Sequence, residues 1–217
     1  MTQYLKKYTP LKYLRGIIES ASLFLADEEK RSKWPDKNDI ALIDKFIDLN
    51  NIEDLGITCM TKGADRHHFW HTADPKEQIV CLWFEENSFL EGATNDESLK
   101  KKDIEYKYIN TLNSQRQIIQ LPDLPFLKRK QYADEREVRI IAEYPKNEHQ
   151  NTALRFNKAS LCRIYFDSKM EREEYCKKRK KYRKILQSNG YDGRIDLWQN
   201  KLLRHEGWIE AAFNATK

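Results

Sequence analysis

The stretch that most constrains this chain is Glu135-Arg136-Glu137-Val138-Arg139-Ile140-Ile141-Ala142-Glu143, where a Glu-x-Glu pair leads into an apolar run with strand-like alternation. If both glutamates sat on extended backbone, their carboxylates would leave from one side, roughly 6.5–7 Å apart along the chain. Such a pair can hold one carboxylate over a reacting sugar and the other beside a nucleophile. It is equally the pattern of two solvated charges on an edge strand, and these residues alone leave both readings open.

The rest of the chain sets the frame. Its 217 residues predict a single domain over 1–217 with room for a substantial core. Hydrophobic residues at 40% offset the 34% charged content, which argues against wholesale disorder. No apolar run nears the roughly 18–20 residues needed to cross a bilayer, and Met1-Thr2-Gln3-Tyr4 starts no signal-peptide core. The expectation is a cytoplasmic protein with no membrane partner. Cys59, Cys81, Cys162 and Cys176 lie far apart without a CxxC pairing, so neither a disulfide framework nor a zinc site is expected. His67-His68-x-x-His71 lacks the carboxylate or cysteine partners of a metal set, and no metal is expected there. Nor is there a P-loop, a GxGxxG or a GxSxG to support kinase-like, Rossmann or hydrolase chemistry.

Charge is mild in sum, 39 Lys and Arg against 34 Asp and Glu, but it is clustered. Lys177-Lys178-Arg179-Lys180-Lys181-Tyr182-Arg183-Lys184 has the footprint of a phosphate-backbone contact, or else of a solvated helix face with i,i+4 partners at Glu171, Glu173 and Glu174. With Tyr175 and Tyr182 interleaved, the run suits a nucleic acid.

Periodicity predicts strands near 4–8, 22–26, 57–61, 78–84, 106–109, 137–144, 154–156, 159–166, 195–198 and 207–210. It predicts helices over about 11–20, 40–49 and 169–187, the first with Thr9 as N-cap. Residues 86–104 read as loop, and 113–130 as an irregular connection. Turns are expected at Pro145 to Thr152 and Gly190 to Gly193, and a short helix closed by Pro75. The class is α+β, with roughly seven or eight short strands.

That succession resembles the ADP-ribosyltransferase fold, in which split, bent β-sheets flanked by a few helices clasp NAD. A further resemblance covers most of the chain. Lys7-Tyr8, Leu23-Phe24-Leu25-Ala26, Asn38-Asp39, Phe69-Trp70-His71, Val80-Cys81-Leu82-Trp83-Phe84, Glu135-Arg136-Glu137-Val138-Arg139 and Ile164-Tyr165-Phe166 are similar, in order, to the motifs of the bacterial domain of unknown function 2971 family. Thr9 stands where that family usually has arginine. The resemblances imply an NAD-dependent ADP-ribosyltransferase, a glycosyltransferase in class. Glu137 would steady the ribose cation, Glu135 would orient or deprotonate the acceptor, and Arg139 would pair with a carboxylate or the pyrophosphate. Tyr8, Thr9, Trp70 and His71 would contact NAD. They imply a macromolecular acceptor, RNA preferred over single-stranded DNA, and a toxin or antiviral-defence role with an antitoxin partner. The other reading is a non-enzymatic nucleic-acid- or protein-binding module.

Overall fold

The computed structural model describes residues 2–71, 76–91, 99–114, 118–144, 153–191, 194–201 and 206–216. In chain order these form β1 (Tyr4–Pro10), α1 (Leu11–Ser20), β2 (Ser22–Phe24), α2 (Glu28–Arg31), α3 (Lys37–Asn50), β3 (Asp54–Thr61), β4 (Ile79–Glu85), α4 (Glu86–Phe89) and β5 (Leu99–Asp103). There follow β6 (Glu105–Lys107), α5 (Ile109–Asn113), β7 (Leu127–Arg129), β8 (Glu137–Tyr144), β9 (Ala153–Arg155), β10 (Leu161–Phe166), α6 (Arg172–Ser188), β11 (Asp196–Gln199) and α7 (Glu206–Asn214). The architecture is α+β.

Seven strands make the central sheet, in the order β11-β10-β4-β1-β3-β8-β5. Its key feature lies in the middle. β1 pairs with β4 along its whole length, from Tyr4↔Glu85 to Pro10↔Ile79, yet meets β3 only at Lys6↔Thr61. Beyond that pair the two strands part, and the sheet splits into a β11-β10-β4-β1 half and a β3-β8-β5 half.

Side-chain alternation shows how each half is covered. Leu5, Val80, Leu82, Phe84, Val138, Ile140 and Ile164 point into the main core, which Leu14 and Ile18 of α1 and Tyr182 and Leu186 of α6 complete. On the opposite face, Ile57 and Ile141 pack under Ile43 and Phe46 of α3. Strand β8 therefore has a covered face on both sides, which explains its nearly unbroken apolar run. α3 begins at Lys37, earlier than periodicity predicts, because the Asp36 carboxylate accepts from Asn38 N at 3.1 Å and caps it.

Other expectations are corrected. Of residues 86–104, expected as loop, Glu86–Phe89 form α4 and Leu99–Asp103 form β5, while 92–98 lie outside the described residues. The polarity of Lys100-Lys101-Lys102 hides a strand whose ammonium groups are neutralised by Glu143, Glu86 and Asp123. Residues 207–210 belong to helix α7, since Trp208 and Ile209 continue into the helix-forming Ala211-Ala212-Phe213. Of the 106–109 segment only Tyr106 and Lys107 are strand, in β6, and Ile109 opens α5. Thr9 is no cap: Pro10 occupies that position, without a side-chain bond. Eleven strands are present among the described residues. The turn at 145–152, the Thr72 to Pro75 helix end and residues 192–193 of the Gly190 turn lie outside the described residues. No described helix is long and apolar enough to cross a membrane.

Candidate active site

The parting of β1 from β3 opens a cleft of about 260 Å³. Lys6 and Tyr8 of β1 form one wall, and Cys59 and Thr61 of β3 with Glu137 of β8 form the floor. Trp34, His68, Phe69, Lys128, Tyr132 and Glu135 close the rim. This volume lies just under the roughly 300 Å³ lower bound of ordinary ligand pockets.

Glu137 is the first residue of β8, opposite Thr61, and is only 5% exposed. Its Oε1 accepts from Arg139 Nε at 2.9 Å, and its Oε2 from Lys128 Nζ at 3.0 Å. Burial alone would push this carboxyl up, but the neighbouring Arg139 and Lys128 charges outweigh it and hold the group at about 2. The floor of the cleft is thus a fixed anion. Its backbone N–H donates to the Tyr106 hydroxyl at 2.8 Å, and burial pushes that phenol up to about 12.

Glu135 does not lie on the strand. It ends a 3-10 turn (Lys130–Glu135), and Arg136 then adopts a left-handed conformation, φ 43°, before β8 begins. The side-by-side projection expected of extended backbone is therefore absent. The two carboxylates converge instead through Lys128, which reaches Glu135 Oε2 at 2.6 Å. Burial raises the Glu135 carboxyl, and Lys128 only partly offsets this. The neighbouring carboxyls are thus shifted in opposite directions, a pattern that separates an electrostatic role from an acid–base role.

The unusual Arg136 backbone is clamped from β3. The Thr61 hydroxyl donates to the Glu135 carbonyl and accepts from Gly63 N at 2.8 Å, while Lys62 N donates to Arg136 O at 3.0 Å. Arg139 is fully buried and committed to carboxylates and to the Pro125 carbonyl at 2.6 Å, so no pyrophosphate reaches it. It holds Glu137 Oε1 through Nε at 2.9 Å.

The NAD-side expectations divide. Tyr8 lines the cleft, stacks on Phe69 at 4.8 Å and donates to Asp65 at 2.7 Å. Trp70 is 2% exposed, packed edge-on behind Tyr8 with its indole N–H on Asp65 at 2.6 Å; its ring faces core rather than cleft. His71 is exposed and meets His67, Nε2 to Nε2, at 2.9 Å. Neither Thr9 nor His71 is among the described residues lining the cleft. Lys128, Trp34 and Tyr132 line the cleft without being expected as site residues, while His68, which the sequence offers as part of a sugar- or base-contacting loop or as a plain surface histidine, and Phe69 of the Phe69-Trp70-His71 motif lie at its rim. Lys128 carried no local signal, since it reads as one more cation in Lys128-Arg129-Lys130; Asp39, the partner of Arg139, was visible only through its family-like Asn38-Asp39 pair. Tyr175 and Tyr182 are turned inward, Tyr175 donating to Leu197 O at 2.9 Å, so the basic helix offers cations without stacking rings. Among the described residues no group of three or more His, Cys, Asp or Glu is placed to hold a metal.

No protein-family model matches the chain, and no curated protein matches it in sequence. Among solved structures, Thermus sp. 2.9 DarT in complex with ADP-ribosylated ssDNA is similar at 13% identity and a TM-score of 0.45, over 92% of this chain and 95% of that one. The complex of the same protein with NAD+ gives 12% identity and 0.44, over 92% and 96%. Likeness at this level carries no functional inference for the chain.

Proposed function

We propose that this protein is an NAD-dependent ADP-ribosyltransferase that modifies a nucleic acid, in the role of a toxin or phage-defence effector. The observation that supports this reading is the Glu137 carboxylate, held ionised at the floor of an aromatic-walled cleft where the sheet splits. Cleaving the nicotinamide–ribose bond builds positive charge on the sugar. A preorganised anion that bonds the ribose 2′-hydroxyl stabilises that charge more than it stabilises the ground state. Tyr8 and Phe69 offer a face on which the leaving ring stacks. The bond from C1′ to nicotinamide breaks with its electron pair leaving on nicotinamide, and a bond from C1′ to the acceptor forms. Glu135, with its raised carboxyl, takes the acceptor's proton.

The test is purified protein with labelled NAD and, separately, single-stranded DNA, RNA and cell lysate, beside Glu137→Gln. Label transfer that drops by about 10²–10³ in the variant supports the assignment. Transfer that survives the substitution rejects it.

One observation favours the second reading, a binding module without chemistry. α6 carries eight Lys or Arg against two Glu, more net positive charge than the +5 of the whole chain. Absence of NAD consumption with every acceptor, together with salt-sensitive nucleic-acid binding, would select that reading.

A further inference from the structure

The sheet face that contains the cleft is covered over Ile79 and Cys81 by Trp70 and Phe69, and beyond them no described helix lies over it. Over β3 and β8 this face is roofed by α3, but over β1, β4, β10 and β11 it carries large aromatic side chains that reach solvent. Trp198 on the edge strand is 54% exposed and is the register partner of Tyr165 on β10. Tyr165 meets Trp83 of β4 at 5.3 Å between ring centres, and Trp83 meets Tyr4 of β1 at 5.7 Å. The Arg163 guanidinium lies over Trp83 and Tyr4, at 5.4 and 5.6 Å, and the Lys6 ammonium lies over Trp83 at 4.4 Å. Lys6 also lines the cleft, so the aromatic row runs into it without a break.

Trp83 and Tyr165 pack against the small buried cluster of Trp70, Ile79 and Cys81 on this face. The opposite face of these strands supplies the main core, and a solvated sheet face ordinarily carries polar side chains. An open row of half-buried rings beside a partly exposed cation is what sequence-tolerant recognition of single strands uses, each base stacking on a ring while Arg163 meets phosphate; Lys6, 8% exposed and donating to Gly63 O at 2.6 Å, holds the row to the cleft wall instead. Four strands at about 4.8 Å spacing give a track of roughly 14 Å, room for two or three nucleotides. Among the described residues Arg163 pairs with Asp196, 3.7 Å away at the far edge.

We infer that Trp198, Tyr165, Trp83 and Tyr4, with Arg163 and Lys6, form the stacking platform on which a single-stranded nucleic acid lies with one nucleotide delivered to the cleft. The delivery rests on the transferase reading; the platform itself does not. It moves the acceptor's stacking contact from the basic helix α6, whose tyrosines face inward, to the sheet.

The experiment measures binding of a short fluorescein-labelled oligonucleotide by anisotropy, without NAD, in single-stranded DNA, single-stranded RNA and duplex forms. Trp198→Ala and Tyr165→Ala are each expected to weaken single-strand binding about tenfold, and Trp198→Phe to restore most of it, with duplex binding weaker throughout. Trp198 is a surface residue, and unchanged circular dichroism in its variants excludes unfolding as the cause. Three outcomes would overturn the platform: no single-strand binding, binding indifferent to both alanine variants, or binding lost only on Lys180→Glu with Lys184→Glu. A binding-competent protein that consumes no NAD leaves the platform standing and removes the transferase reading.

Discussion

Arg139 and Asp39, a hundred positions apart in the chain, meet in a two-pronged ion pair, Nη1 to Oδ1 at 2.9 Å and Nη2 to Oδ2 at 2.8 Å. Through Nε the same guanidinium holds Glu137, so the first turn of α3 is wired to the first residue of β8. Removing one partner of a buried pair strands the other charge, at a cost of about 3–5 kcal/mol. Asp39→Ala is expected to lose about 3 kcal/mol of unfolding free energy in urea titration. Arg139→Lys cannot reproduce the fork and is expected to be nearly as damaging. A loss for Asp39→Ala below about 1 kcal/mol would mean that the pair is not closed in solution.

Acid stability follows from the same cluster. The Glu137 carboxyl stands at about 2 in the fold against an ordinary 4.5. A depressed acid contributes stability that is complete above the unfolded value and is lost as pH falls through the folded one, so the window runs from about 4.5 down to about 2. The shift corresponds to roughly 3 kcal/mol. Glu135 works in the opposite direction: its raised carboxyl costs stability at neutral pH, and acidification relieves that cost. Unfolding free energies measured from neutral pH downward are expected to fall less steeply in Glu137→Gln than in the parent. Parallel acid limbs would contradict the assignment.

Gly63 sets the position of Glu135. A Cβ at this residue would lie 3.0 Å from Thr61 Oγ1 and 3.1 Å from both the Asp134 and Glu135 carbonyl oxygens. Two of these neighbours are backbone and cannot swing aside, so the turn before β8 must shift. Gly63→Ala is expected to cost about 1–3 kcal/mol, as overpacking does. Because Glu137 is anchored separately on β8, the transferase reading predicts that NAD cleavage in the variant falls less than transfer to the acceptor. Equal losses in both would place Gly63 outside the positioning of Glu135.

These residues also show where sequence was informative. Strand β8 was legible because Val138, Ile140 and Ala142 face one core while Arg139 and Ile141 face another, and that double burial writes itself as an apolar run. α1 was legible from Leu11, Leu14 and Ile18, a single buried stripe. β5 was not, since its lysines are matched by acids distant in sequence. Glu137 was singled out from the chain, but the left-handed turn at Arg136 that separates it from Glu135 was not, because no glycine or asparagine announces it. Lys128 becomes a site residue only through convergence in space, which periodicity cannot express.

Asp65 organises the opposite wall. Its carboxylate accepts from the Tyr8 hydroxyl at 2.7 Å and the Trp70 indole at 2.6 Å, and Asn200 donates to its second oxygen. One short loop thus ties β1, the 3-10 turn His67–Trp70 and the end of β11 into a single rim. Burial and this carboxylate both push the Tyr8 phenol up, keeping it a neutral donor over the working range. Asp65→Ala leaves these donors without their acceptor, and each buried polar group so orphaned costs about 1–3 kcal/mol. Asp65→Asn keeps an acceptor oxygen and is expected to lose less. Because the Tyr8–Phe69 stack would loosen while Glu137 stays in place, the transferase reading predicts a rise in KM for NAD with a smaller change in kcat. A variant that instead loses kcat with KM unchanged would show that Asp65 serves the transition state rather than the seating of the ring.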